Sequence, residues 1–102
     1  MARRAAKIDI NQPIIVKALR DIGCTVTLTH TAGAGFPDLT VGWQGRTYLL
    51  EIKNPDAPKS SRQLTPDQVV WHDQWRGHVA VVMTVKEALE AIGIPFRGQI
   101  NG

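Results

Sequence analysis

The hydrophobic period of the chain changes several times between residues 11 and 93, and each change marks an element. Ile14, Ile15, Ala18, Leu19 and Ile22 recur at helical spacing behind Pro13, with Asn11 in the N-cap position and Gly23 closing the helix. Residues 25–29 (Thr-Val-Thr-Leu-Thr) alternate as a strand does, and residues 31–35 form a glycine-containing loop. Leu39-Thr40-Val41, a turn at Gly42-Trp43-Gln44-Gly45, and residues 46–52 (Arg-Thr-Tyr-Leu-Leu-Glu-Ile) read as a β-hairpin. Residues 54–63 turn polar, carry Pro55 and Pro58, and predict a loop. Thr65-Pro66-Asp67-Gln68 is a capping box with proline at the first helical position, and Leu64 with Val69 is spaced for a hydrophobic staple. That helix is predicted to end near Gly77. Val79 to Met83 is almost wholly apolar, as in a strand buried on both faces. Thr84 and Glu87 form a second capping box, opening a short helix through Ala88, Leu89 and Ile92 to Gly93.

The order is therefore α-β-β-β-α-β-α. Three antiparallel strands followed by a crossover helix put the last strand parallel in the same sheet, which predicts an α/β sandwich with a mixed central sheet. Residues 1–10 read as a basic arm, 11–93 as one domain and 94–102 as a tail.

With 102 residues, 43% hydrophobic and 21% charged, the chain has the composition of a single globular domain and not of a disordered segment. The net charge of +3 permits nucleic-acid binding without requiring it. Its distribution is more telling: Arg3, Arg4 and Lys7 cluster at the start, and Lys59 and Arg62 follow Lys53. Cys24 is the one cysteine, leaving neither a disulfide nor a Cys-based zinc cluster, and no His-x-x-x-His pair exists. No apolar run approaches the ~20 residues of a membrane span, and the basic start lacks the apolar region of a secretory signal. The expectation is a cytoplasmic protein with no membrane partner and no nucleotide cofactor.

Candidate chemistry concentrates between Gly35 and Lys53. Asp38 enters the first hairpin strand; Glu51 and Lys53 share one face of the second, while Leu50 and Ile52 share the other. Hairpin pairing brings Asp38 toward Glu51. A glutamate in an apolar strand is costly to bury unless paired or bound to a metal. Alone, a Glu-x-Lys is most simply a solvated strand face; the upstream Pro37-Asp38 at hairpin spacing turns the pattern toward a site. Two carboxylates and a lysine on one face suit a divalent cation and water activation.

In this element order, Gly35-Phe36-Pro37-Asp38, Glu51-Ile52-Lys53 and Leu64-Thr65-Pro66-Asp67-Gln68 resemble the PD-(D/E)XK nuclease superfamily. The resemblance is strongest to its stand-alone VRR-NUC domains of phages and bacteria, and covers roughly residues 11–92. It implies a restriction-endonuclease-like fold and Mg²⁺- or Mn²⁺-dependent endonuclease hydrolysis of DNA phosphodiesters. Relatives commonly select branched, flapped or four-way (Holliday) junction DNA. Asp38 and Glu51 would be metal ligands, helped by the Ile52 carbonyl; Lys53 would position the attacking water, and Gln68 matches the family's helix glutamine. The chain departs from many relatives in lacking an acid inside its first helix before Asp21; Asp9 lies upstream, and Gln12 is a substitute candidate. A fold that kept DNA binding and lost the metal, or a subunit of a larger phage or repair complex, are the alternatives.

Gln68 has a competing role in the capping box. Lys59, Ser60, Ser61 and Arg62 form a basic-polar loop suited to a DNA backbone, and Arg3 and Arg4 are expected to act as a basic arm contacting DNA. Trp71 and Trp75 read as core or interface residues, Tyr48 as packing and Trp43 as exposed. A domain this small offers little surface for a branched duplex, so a homodimer is expected.

Overall fold

The computed structural model describes residues 8–95. Helix α1 (Gln12–Asp21) precedes strands β1 (Thr25–Leu28), β2 (Leu39–Trp43) and β3 (Arg46–Ile52). A 3₁₀ turn (Lys59–Arg62) interrupts the next loop, and α2 (Pro66–Gln74), β4 (Val79–Val82) and α3 (Val85–Ala91) complete the order. The sheet runs β1-β2-β3-β4; β1–β2 and β2–β3 are antiparallel and β3–β4 parallel. The α/β class with a mixed four-stranded sheet follows the sequence pattern. Arg3, Arg4 and residues 96–102 lie outside the described residues. Among the described residues no helix is long and apolar enough to cross a membrane.

The core lies on one side of the sheet. Ile15, Val16 and Leu19 of α1, with Ala88 and Ile92 around α3, close over Val26, Leu39, Val41, Tyr48, Leu50, Ile52 and Val82. Cys24 is buried with them. Strand alternation then sends Leu49, Glu51 and Lys53 to the opposite side, where α2 crosses.

Several expectations are corrected. The buried stripe of α1 is Gln12, Ile15, Val16 and Leu19, an i, i+3, i+4, i+7 set that begins on a polar residue. Ile14 is consequently 63% exposed and Ile22 41%. Asn11 makes no side-chain cap. Its amide instead donates to the carbonyls of Lys53 (3.0 Å) and Met83 (2.9 Å), stapling the start of α1 to the ends of two parallel strands. The hairpin turn is shorter than predicted: β2 continues through Trp43, and only Gln44 and Gly45, with φ of 49° and 78°, turn the chain. Both positive φ values are those of a tight two-residue turn whose twist matches the strands. Trp43, expected to be exposed, is half-buried and packs on the core.

β4 is an edge strand and is not buried on both faces: Val82 is sunk, whereas Val81 is 42% exposed. α2 ends at Gln74, short of Gly77, and buries no residue fully. Val69 is 51% exposed and Leu64 half-buried. The Thr65–Gln68 capping box forms in both arms. At α3 only half a box forms, because Glu87 accepts from the Met83 N–H (2.7 Å) instead of from its cap residue.

The Asn11 staple sets the first prediction. Asn11→Ala strips the partner from two part-buried carbonyls and should destabilise the fold by about 1–3 kcal/mol. A lower urea midpoint at unchanged m-value is the expected readout.

Candidate active site

The register of the hairpin builds the site. Leu39 pairs with Leu50, so one step further along the antiparallel ladder Asp38 stands opposite Glu51. There Asp38 takes over a strand partner's role: its Oδ2 accepts from the Ile52 N–H at 2.8 Å. The corner before it is tied down from β1, with the Thr29 N–H donating to the Asp38 carbonyl (2.7 Å) and the Thr29 hydroxyl to the Pro37 carbonyl (2.9 Å). Gly35, at φ +84°, lets this loop reach α2: a Cβ there would come within 2.5 Å of the Asp67 carbonyl oxygen. Phe36 meets Trp71 edge to face at 5.3 Å, and Trp71 stacks on Trp75 at 4.7 Å.

Glu51 and Lys53 do not lie on a solvated face; they are 2% and 7% exposed. One carboxamide from α2 organises both. Gln68 Nε2 donates to Glu51 Oε2 at 2.8 Å, and Lys53 Nζ donates to Gln68 Oε1 at 2.9 Å. The Thr65 N–H donates to that same oxygen at 2.9 Å. The capping role and the site role of Gln68 therefore operate together. Lys53 Nζ also lies 3.7 Å from Glu51 Oε2. The other Glu51 oxygen, Oε1, is buried with no partner.

Burial pushes the Glu51 carboxyl up to about 8; the Asp38 charge adds to the rise and the Lys53 ammonium opposes it. Asp38 is raised chiefly by burial, against the Ile52 N–H that favours its ionised form; the charge of Asp9 adds to the rise. A buried ion pair with one lysine thus leaves the two carboxylates short of positive charge.

These groups line a cleft of about 660 Å³. It gathers five of the residues singled out by sequence: Asp38, Glu51, Ile52, Lys53 and Gln68. Ile52 sends its side chain into the core, so what it offers the cleft is main chain. Ser60 and Ser61 reach the cleft too, whereas Lys59 and Arg62 occupy exposed positions of the same 3₁₀ turn. Gln12 is buried with its Oε1 unpartnered and lines a neighbouring, mainly apolar cleft of about 430 Å³ that shares Ile8 with the carboxylate cleft.

Two residues enter that the sequence pattern leaves aside. Asp9 lines the carboxylate cleft, held there by the Asn11 staple two residues on and by its own carbonyl, which accepts the Gln12 N–H at 3.0 Å. His72 stands one turn after Gln68; burial, with the Lys53 charge, lowers its pKa, and its Nε2 is buried without a partner. The i, i+4 spacing of Gln68 and His72 is the signal that could have found it.

The donor set fits a hard divalent cation. Such an ion takes oxygen ligands and keeps several waters, so two carboxylates and a main-chain oxygen suffice to anchor it. Among the described residues no three His, Cys, Asp or Glu side chains are gathered closely enough to form a cage, so water or substrate oxygens would complete the shell.

The elevated Glu51 pKa makes stability depend on pH. The folded chain holds a proton that the unfolded chain releases above about 4.5, so this contribution is present in acid and lost as pH rises through about 8. Glu51→Gln cannot ionise. Without divalent cations it should melt close to wild type near pH 5 and above wild type beyond pH 8, measured by thermal denaturation. Added Mg²⁺ should raise the melting temperature of wild type but not of the variant.

No family model, curated protein or solved structure matches the chain.

Proposed function

We propose that this chain is a metal-dependent deoxyribonuclease of the VRR-NUC kind, hydrolysing phosphodiester bonds in DNA at the Asp38–Glu51–Lys53 cleft. The observation that carries the reading is the buried Glu51 carboxyl, set opposite Asp38 across the ladder with a lysine fixed alongside through Gln68.

In this reading Asp38, Glu51 and the main chain of Ile52 would hold Mg²⁺ or Mn²⁺, in a cleft that Asp9 also lines. When bound, the ion polarises a phosphoryl oxygen and lowers the pKa of a coordinated water. Glu51 would have to release its proton to hold the cation, so metal affinity would rise with pH. The Lys53 ammonium, held by Gln68, orients the attacking water and favours the transition state, where negative charge on the phosphate grows. Gln68 keeps Glu51 and Lys53 from collapsing on each other, since its two ends bond one apiece. Ser60 and Ser61 donate to the backbone of the bound strand, and Lys59 and Arg62 attract flanking phosphates from outside the cleft.

The test is incubation with Mg²⁺ or Mn²⁺ and labelled four-way junction, flap, nicked and linear duplex DNA. Wild type is expected to cleave at least one of these. Glu51→Gln and Lys53→Ala should each lose ~100-fold or more in rate while still binding DNA. Absence of metal-dependent cleavage on every substrate would count against the reading.

We also read the exposed Val69, Val70 and Val81 (51%, 56% and 42%) as the contact through which two copies pair, presenting two sites to two strands. Sedimentation should then return about twice the 11.2 kDa chain mass.

A further inference from the structure

The floor of the cleft is charged, and apolar side chains stand beside Asp9 at its edge. Ile10 is 76% exposed and Ile8 46%, and both line the cleft on either side of Asp9. The backbone on both sides of Ile10 is tied down: Asn11 is bonded to the ends of β3 and β4, and the Asp9 carbonyl accepts the Gln12 N–H. The same cleft is also lined by Ala57, Pro58 and Leu64. That wall is fixed as well, by the Ala57 N–H on the Asn54 carbonyl (3.1 Å) and the Ser61 N–H on the Pro58 carbonyl (2.8 Å). Apolar side chains from Ile8 and Ile10 and from Ala57, Pro58 and Leu64 therefore line a site that holds two carboxylates and an ammonium, with Ile8 also lining the neighbouring cleft.

A phosphate uses none of these carbons. In a duplex the bases are stacked inside, and the surface offers phosphates and sugars, so an isoleucine as exposed as Ile10 would gain little from it. An unstacked base is different: it presents an apolar face beside its own phosphate, and apolar side chains are what hold such a face. The size agrees. A cleft of about 660 Å³ is in the range that takes a ligand of one or two nucleotides.

We propose that Ile8 and Ile10 form an apolar clamp for the unstacked base next to the scissile phosphate, so that the cleft selects DNA unpaired at that nucleotide. The placement of the phosphate rests on the nuclease reading; the clamp itself is a binding property.

The experiment uses the full chain and an oligonucleotide with 2-aminopurine at one position, as a single strand and as a duplex. A Glu51→Gln background keeps the DNA intact. The single strand should bind more tightly than the duplex and change the fluorescence of the probe. Adding Ile8→Ser and Ile10→Ser should weaken single-strand binding roughly tenfold, erase the fluorescence change and leave duplex affinity unaltered. Because both side chains are exposed, the variant should keep its melting temperature; Ile10→Ser alone, with a smaller effect, serves if the pair does not. Equal affinity for the two DNA forms, or a variant that retains both affinity and signal, overturns the clamp. Wild-type cleavage is scored separately with Mg²⁺. A clamp-dependent signal without cleavage of any DNA removes the nuclease reading and leaves the clamp, and cleavage indifferent to both isoleucines does the reverse. No binding of either DNA form removes both.

Discussion

Two carboxylates face each other across the β2–β3 ladder, one of them almost wholly out of water, and the rest of the structure is arranged around keeping them there. Their opposition is a matter of register. Side chains alternate along a strand, so sliding β3 by one residue would turn Glu51 and Lys53 into the apolar core and expose Leu50 and Ile52. The two-residue turn at Gln44-Gly45, at the far end of the hairpin, holds that register with a backbone geometry only a few residue types adopt easily. Geometry set at one end of the sheet thus decides the chemistry at the other.

Opposition alone would leave an unstable pocket, since like charges this close resist ionising together. Lys53 supplies part of the balance, and Gln68 supplies the form. A carboxamide offers a donor at one end and an acceptor at the other, which is what a glutamate and a lysine side by side require. A glutamate at position 68 would add another carboxylate to the cluster, and a leucine would take away the hydrogen-bond partner that Glu51 and Lys53 share. Because the Gln68 oxygen also receives the Thr65 N–H, the start of α2 and the floor of the cleft are built from one side chain.

Much of this was legible in the chain. The element order followed from period changes and caps, and the Asp38, Glu51 and Lys53 cluster from alternation across a hairpin. What could not be read had identifiable causes. Gln12 begins the buried stripe of α1, and a polar residue in that place shifts the apparent phase onto Ile14 and Ile22. Asn11 has the chemistry of a cap but finds better acceptors in two strand ends, which sequence does not bring near it. β4 has the composition of a buried strand, yet no element of the described chain covers its outer edge. Asp9 is separated from the other carboxylates by nearly thirty residues, and only the Asn11 bonds reveal that it shares their cleft.

The shallow seating of α2 has a kinetic side. This helix buries no residue fully, yet it brings Gln68 to the cleft. Helices attached by few apolar contacts open on their own, at a free-energy cost well below that of global unfolding. Each such opening releases Glu51 and Lys53 from their shared amide while the core between the sheet, α1 and α3 stays folded. Amide hydrogens of α2 should therefore exchange ahead of those in β2 and β3. On warming, the Gln68 bonds would be lost before the fold is, so the thermal limit of the cleft's arrangement is set by one loosely held helix and not by the hydrophobic core.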